Sequence, residues 1–145
     1  MSGRHTREKA ILSHPKTMKP EDWLRFIEMP GFTRGWKKLG LEDEDVNAIQ
    51  MCIMVSPHGP PIVSGTGGLR KIRFAPGRWK SGKRGAARVC YAYYEEFSVV
   101  LLVSIYSKSR KDDLTQEEKR EIKRLLEGIG RILKTQGHGK ENRDG

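Results

Sequence analysis

Lys71, Arg73 and Arg88 are the residues whose types and spacing best suit chemistry in this chain. They lie in the segment Gly65–Tyr91 (GTGGLRKIRFAPGRWKSGKRGAARVCY), which carries eight Lys/Arg and no Asp or Glu. The 145-residue chain has 28 basic and 18 acidic side chains, a formal charge of +10; outside those 27 residues the balance is 20 to 18. Nearly all the excess charge is therefore local. Arginine grips phosphate oxygens with a two-pronged fork and lysine attracts them as a point charge. A basic segment punctuated by glycines and hydrophobic residues points to a polyanion, nucleic acid before any other. The plainer reading is a solvated face, since alternating Lys/Arg on an open sheet also keeps edges from aggregating. Mixed signs would serve solubility equally well, so the absence of acids weighs against that reading.

Other chemistries find fewer residues. Cys52 and Cys90 stand far apart in apolar patterns and form no CxxC, and His5, His14, His58 and His138 are scattered through loops and tails. A metal site needs clustered ligands at defined spacing, so neither a metal nor another cofactor is expected. Buried reduced thiols suit a cytoplasmic protein. No apolar run is long enough to span a bilayer. The N-terminus lacks the apolar stretch of a secretory signal; its basic, acid-poor composition leaves a transit peptide as a lesser alternative. GTGG at 65–68 lacks the GxxxxGK[ST] pattern and a following helix, so it reads as a turn into a strand. Tyr91 and Tyr106 read first as packing residues with wet hydroxyls.

The elements that must position these cations follow from periodicity. Residues 1–20 are polar and basic and read as a disordered extension, with Met18 an alternative start; 21–136 form one domain, and 137–145 read as a disordered tail. Trp23–Met29 reads as a strand ended by Pro30-Gly31, and Phe32, Trp36 and Leu39 mark a short helix closed by Gly40. Glu42, Asp43, Glu44 and Asp45 crowd the first turn of a second helix, where negative charge suits the dipole, and Val46, Ile49 and Ile53 are its apolar face. Three strands follow, Leu69–Phe74, Ala86–Tyr94 and Phe97–Tyr106, the last two joined as a hairpin. Thr115 and Glu118 form a capping box for a final helix with Ile122, Leu125, Leu126, Ile129, Ile132 and Leu133. The order β-α-α-β-β-β-α predicts an α+β fold: a small, mostly antiparallel sheet with its helices packed on one side and the other face open.

Strand parity then predicts which charges converge. Lys71 and Arg73 share a face opposite Ile72 and Phe74. Arg88 shares a face with Cys90 and Ala92, while Val89 and Tyr91 point the other way. In the last strand Val99, Leu101, Val103 and Ile105 would make one apolar face, and Ser104, Tyr106 and Lys108 the other. If the strands are neighbours, Lys71, Arg73, Arg88, Tyr106 and Lys108 line one polar floor, with the loop Gly77–Gly85 as its basic rim.

These residues also carry a family resemblance. GTGGLRKIR (65–73), a G/K-rich loop ending GAARVCY (85–91), LLVSIYSK (101–108) and KDDLT (111–115) follow one another as in RelE/HigB-type toxins of bacterial toxin–antitoxin pairs, in the RelE/ParE superfamily. The motifs cover 65–115, and the helix order extends the match to about 22–135. The resemblance implies a RelE-like fold and a ribosome-dependent mRNA endonuclease that needs no metal. It implies a cognate antitoxin, expected to be a helix-turn-helix protein, and contact with the ribosome and mRNA rather than a membrane.

By motif position, Lys71 and Arg73 match the family's paired basic residues, Arg88 its arginine in the R-V-x-Y block, and Lys108 its following basic turn. Arg88 is then the phosphate clamp, Lys71 a base or stabiliser, and Arg73 and Lys108 contacts to rRNA or the transition state. A lysine in a dense positive field gives up its proton more readily, which suits a base. Arg70, Arg78, Lys80, Lys83, Arg84 and Arg110 are expected to hold RNA. The family has a second arginine in the basic turn and a tyrosine soon after; Ser109 and Thr115 fall near those places here. Arg110 is the replacement arginine at hand, and Tyr91 and Tyr106 are the candidate catalytic or stacking phenols. Two other functions stay open: a gyrase inhibitor like the ParE branch, for which a less basic floor is expected, and an RNA- or ribosome-binding module without catalysis.

Overall fold

The strand Ala87–Tyr94 buries six consecutive residues, Ala87 to Ala92, and a strand buried on both faces needs cover on both. That requirement sets the architecture. The computed structural model describes residues 23–76, 86–107 and 114–144. Four strands, β1 (Arg25–Glu28), β2 (Leu69–Phe74), β3 (Ala87–Tyr94) and β4 (Val99–Ser107), form one sheet in the order β1-β4-β3-β2. Helices α1 (Pro30–Lys38) and α2 (Asp43–Val55) follow β1, and α3 (Gln116–Asp144) follows β4. The chain order is the expected β-α-α-β-β-β-α, in an α+β domain.

Two expectations are corrected. The sheet is mixed, because β1 pairs parallel with β4 while β2–β3 and β3–β4 are antiparallel. And the helices cover both faces. On one, Phe32, Ile49, Ile53 and Met54 of α1 and α2 pack with Phe74, Val89, Tyr91, Val100, Leu102 and Ile105. On the other, Leu126 of α3, with Ile122 and Ile129 alongside, packs on Leu69, Cys90, Ala92 and Leu101.

A bulge makes this two-sided burial possible. Cys90 opposes Ser104 while its neighbour Tyr91 opposes Leu102, leaving Val103 as the extra residue. The side-chain alternation of β4 therefore slips by one. Leu101 and Val103 pack on the α3 side, whereas Ile105 joins the α1/α2 side, so the continuous apolar face expected from 99 to 105 is divided between two cores. The strand also starts two residues late, because Glu95–Phe97 wind into a 3-10 turn and Ser98 adopts a left-handed φ of 54°.

Helix α1 lies along the free edge of β4. The parallel β1 stops pairing after Glu28 opposite Leu102, with one more bond from the Met29 N–H to the Leu102 carbonyl at 2.9 Å. Pro30 then starts α1, where its fixed φ fits and its missing N–H costs nothing. A β-carbon on Gly31 would stand 3.3 Å from the Val103 carbonyl oxygen, and one on Gly35 only 2.3 Å from that of Ile105. Four residues of helix and two of strand each advance about 6 Å. The two glycines thus track alternate β4 carbonyls, bringing the end of α1 level with Tyr106 and Ser107.

The helix termini are built as the sequence indicates. The Glu42 N–H donates to the Asp45 carboxylate at 2.7 Å at the start of α2. At the start of α3 the Thr115 N–H donates to Glu118 Oε1 at 2.8 Å and the Glu118 N–H to Thr115 Oγ1 at 3.1 Å. Tyr94 anchors the middle of α3 by donating its hydroxyl to the Leu126 carbonyl at 2.7 Å. The GTGG segment is a turn, knotted by buried Thr66, whose hydroxyl bonds the Val63 carbonyl (2.7 Å) and the Leu69 N–H (3.0 Å). Gly67 has φ +76°, and a β-carbon there would stand 3.1 Å from Lys123 Cγ. The turn is therefore a bed for α3. No described helix is long and apolar enough to cross a membrane.

Candidate nucleic-acid interface

Register places the strand cations in two rows. Arg73 on β2 opposes Arg88 on β3, and Arg88 opposes Tyr106 on β4. One step along, Lys71 opposes Cys90, and Cys90 opposes Ser104. Strands sit about 4.8 Å apart and same-face rows roughly 7 Å apart, so Lys71, Arg73, Arg88 and Tyr106 belong to one small patch. It lies on the same face as α3, at the end of the sheet beyond the Leu126 contact with Leu69, Ala92 and Leu101. The floor thus adjoins the α3-packed half of this face and shares Cys90 with it, and only Arg73 among its residues is exposed.

The patch is graded in exposure. Arg73 is exposed and Lys71 and Tyr106 are half-buried, while Arg88 is 7% exposed. The Arg88 guanidinium donates from Nη1 to the Ala86 carbonyl at 3.1 Å, which fixes one prong of its fork. Beneath the rows, burial pushes the Cys90 thiol up, against the lowering effects of a hydrogen bond with Ser104, the Lys71 charge and a hydrogen bond with Tyr106. Cys90 therefore sits as a neutral thiol touching the side chains that frame the floor. Like charges directly opposite one another are destabilising on a sheet, and two arginines so paired bring their donors toward one anion position.

Two of the anticipated residues lie elsewhere. Tyr91 is fully buried on the opposite face, in the α1/α2 core, and its hydroxyl donates to the Pro57 carbonyl at 2.8 Å. Burial pushes its phenol up to about 12, partly countered by Arg70. It is a core residue that holds the loop after α2, and it does not reach the floor. Arg70 opposes Tyr91 and shares that other face. Its Nη1 donates to the carbonyls of His58 (2.9 Å) and Pro60 (2.6 Å), so it too holds the loop instead of facing the floor. The loop is further fixed by His58, whose Nε2 is 3.2 Å from Glu95 and whose ring meets Tyr93 edge-on at 4.9 Å. Lys108, Arg78, Lys80, Lys83, Arg84 and Arg110 lie outside the described residues.

One neighbour of the floor was not foreseen. Lys38, in the last turn of α1, joins Gly35, Leu39, Ile105, Tyr106 and Ser107 in lining a cleft of about 200 Å3 at the β4 edge. The only sequence signal for it is the Gly31-xxx-Gly35 spacing, which permits a close approach without naming the strand approached.

The site so described is a pair of opposed arginines with a neighbouring lysine on the strands of an α+β domain. No protein-family model matches the chain. Among solved structures it is similar to a mutant of the E. coli toxin RelE in the free state, at 18% identity and a TM-score of 0.45, over 61% of this chain and 87% of that one.

Proposed function

We propose that this protein is a RelE/HigB-type toxin that cuts mRNA on the ribosome, and that the Arg73–Arg88–Tyr106 row with Lys71 is its cutting site. The observation that carries this is the direct pairing of Arg73 with Arg88 next to Lys71 on rigid strands. The order of the GTGGLRKIR, GAARVCY and LLVSIYSK motifs supports it. In the reaction the ribose 2′-oxygen attacks the adjacent phosphorus, the P–O5′ bond breaks, a base takes the 2′ proton and the departing 5′-oxygen gains one. Arg88 grips the non-bridging oxygens, whose charge grows in the transition state. Arg73 adds a second cation to the same oxygens, and Lys71 acts as base or stabiliser at the attacking oxygen. Arg78, Lys80, Lys83 and Arg84 of the segment hold rRNA and message by charge alone. A helix-turn-helix antitoxin is the partner of this reading.

Induced expression with mapping of message 5′ ends tests it. Growth arrest with new, codon-associated 5′ ends, both lost in Arg88→Ala, is the expected result. Arrest with intact messages and stalled replication would transfer the protein to the gyrase-inhibiting branch. Ribosome association with uncut mRNA would leave a binding module.

A further inference from the structure

Helix α3 buries Leu126 and Leu133 and carries a second apolar set beside them. Leu125, Ile129 and Ile132 follow one another at i, i+4 and i+7, and line a shallow groove of about 600 Å3 with Gly128, Arg124 and Arg131. Every lining residue belongs to α3, so no second element walls the groove. Ile132 is 54% exposed, one of three large hydrophobics left exposed among the described residues. Gly128 sharpens the case. A glycine inside a helix weakens it relative to alanine. Gly130 has its reason within the chain, since a β-carbon there would stand 3.4 Å from the Tyr94 ring. At Gly128 a β-carbon would meet, among the described residues, only the far end of Arg131 at 3.8 Å, so alanine would fit. What the glycine preserves is a dip beside Leu125 and Ile132, through which another chain can approach the helix backbone closely.

We infer that this face of α3 is a docking surface for an acidic amphipathic helix of another protein, with its apolar side on Leu125, Ile129 and Ile132 and its carboxylates on Arg124 and Arg131. Charge selects that occupant. Both arginines are exposed, and no Asp or Glu lines the groove. They stand seven residues apart, two turns or about 10.5 Å, which matches carboxylates at the same spacing on a helix lying along α3. Charges that flank a helix–helix seam choose the partner. A second copy of this chain is a poor one. Crossing antiparallel at Gly128, it would set its own Arg131 beside Arg124; crossing parallel, it would set each arginine beside its counterpart. Residues 1–20 of the chain are no better suited, with five Lys/Arg against one Glu. None of this depends on how the Arg73–Arg88 row is used.

The test is a peptide titration of the full chain, read by amide-resolved NMR. The probe is a peptide of Ala, Leu and Glu, about 18 residues long so that it can form a helix, with a leucine stripe and two glutamates seven residues apart beside it. Its control carries lysine in place of glutamate. The Glu peptide is expected to move the amides of Gly128 and Ile132. The Lys peptide should bind at least about five-fold more weakly, losing two exposed ion pairs and gaining two like-charge contacts. In the double variant Arg124→Glu, Arg131→Glu the order of the two peptides reverses. Ile132→Ala, at an exposed and helix-favouring position, weakens the Glu peptide roughly ten-fold by removing apolar area from the contact. Gly128→Gln raises helix propensity and so keeps the fold, yet it fills the dip and also weakens binding. Equal affinity for both peptides, no affinity for either, or shifts confined to Arg73 and Arg88 overturns the docking face. A dimer of the chain alone that Ile132→Ala abolishes in sedimentation makes the face self-complementary and overturns it too. So does an RNA oligonucleotide that moves Gly128 and Ile132 where the Glu peptide does not.

Discussion

Arg73 and Arg88 face each other across the β2–β3 ladder, one exposed and one almost fully buried. Like charges set directly opposite one another on a sheet are destabilising, and an anion held between them would offset that cost. Arg73→Gln is therefore expected to keep or raise the melting temperature, by roughly 1–3 °C at low salt, with the gain shrinking as salt screens the pair. The same change should weaken RNA binding by roughly 10-fold or more, the worth of a charge-assisted hydrogen bond. Arg88→Gln differs, because Arg88 buries its stem and bonds the Ala86 carbonyl; it should lose stability and binding together. A thermal melt and an RNA-binding isotherm on the two variants check both halves, and a destabilised Arg73→Gln would contradict the repulsion.

Gly35 cannot be replaced. A β-carbon there would stand 2.3 Å from the Ile105 carbonyl oxygen and 3.0 Å from the Ile105 Cγ2, and the backbone oxygen has no rotamer with which to yield. Gly35→Ala should lift α1 off β4 at a cost at or above the ~1–3 kcal/mol typical of overpacking, seen as a lower denaturation midpoint. Gly128→Ala is the control: its β-carbon would meet only the far end of Arg131 at 3.8 Å, and on helix propensity it should gain up to about 1 kcal/mol.

How far the sequence foretells this molecule differs from residue to residue. Lys71 and Arg73 were legible because β2 alternates strictly, Ile72 and Phe74 to the core and the two cations away from it. Arg88 was legible by parity with Cys90. Tyr106 was reached on the right face for an incomplete reason, since parity counted from Val99 ignores the extra residue Val103. A bulge changes no residue type and leaves no periodic mark; it shows only when Cys90 and Tyr91 are matched to their partners. The parallel pairing of β1 was hidden similarly, because a first strand's partner is chosen by the long-range closure of the chain and not by its own residues. Parity already turned Tyr91 away from the floor with Val89, and Arg70 opposite it follows the same side; only their residue types, a phenol and a cation in a basic segment, suggested contact with RNA. Both project to the side where the loop after α2 takes up their polar groups.

One buried phenol, Tyr91, and one half-buried phenol, Tyr94, make the protein sensitive to alkali. Burial raises Tyr91 and Tyr94 each to about 12, and each hydroxyl donates to a backbone carbonyl, Pro57 and Leu126 respectively. In the unfolded chain a tyrosine ionises near pH 10. Below that pH both states hold the proton and neither residue makes stability pH-dependent. Above it the unfolded state loses protons that the folded state keeps, so stability falls from about pH 10 to about pH 12. Tyr91→Phe and Tyr94→Phe should each flatten that fall in denaturant titrations while lowering stability near neutral pH by about 0.5–1.5 kcal/mol for the lost bond. Tyr91→Phe should leave RNA cleavage unchanged, because its hydroxyl serves the loop on the other face.

The two cysteines divide by exposure, and the division offers a probe of the floor. Cys52 is exposed on α2, whereas Cys90 is 4% exposed beneath Lys71, with its thiol pushed up by burial. The thiolate is the reactive form, so burial and a raised thiol act together against alkylation. Iodoacetamide on the folded protein should label Cys52 and spare Cys90, which should react only in denaturant; comparable rates at the two sites would refute the buried placement. Because Cys90 opposes both Lys71 and Ser104, its labelling requires opening of the same stretch of sheet that holds the basic rows. A phosphate or RNA bound on Arg73 and Arg88 should slow that labelling further, by stabilising only the closed sheet. Cys52 should keep its rate, which separates protection of the floor from any general effect of the ligand on the reagent.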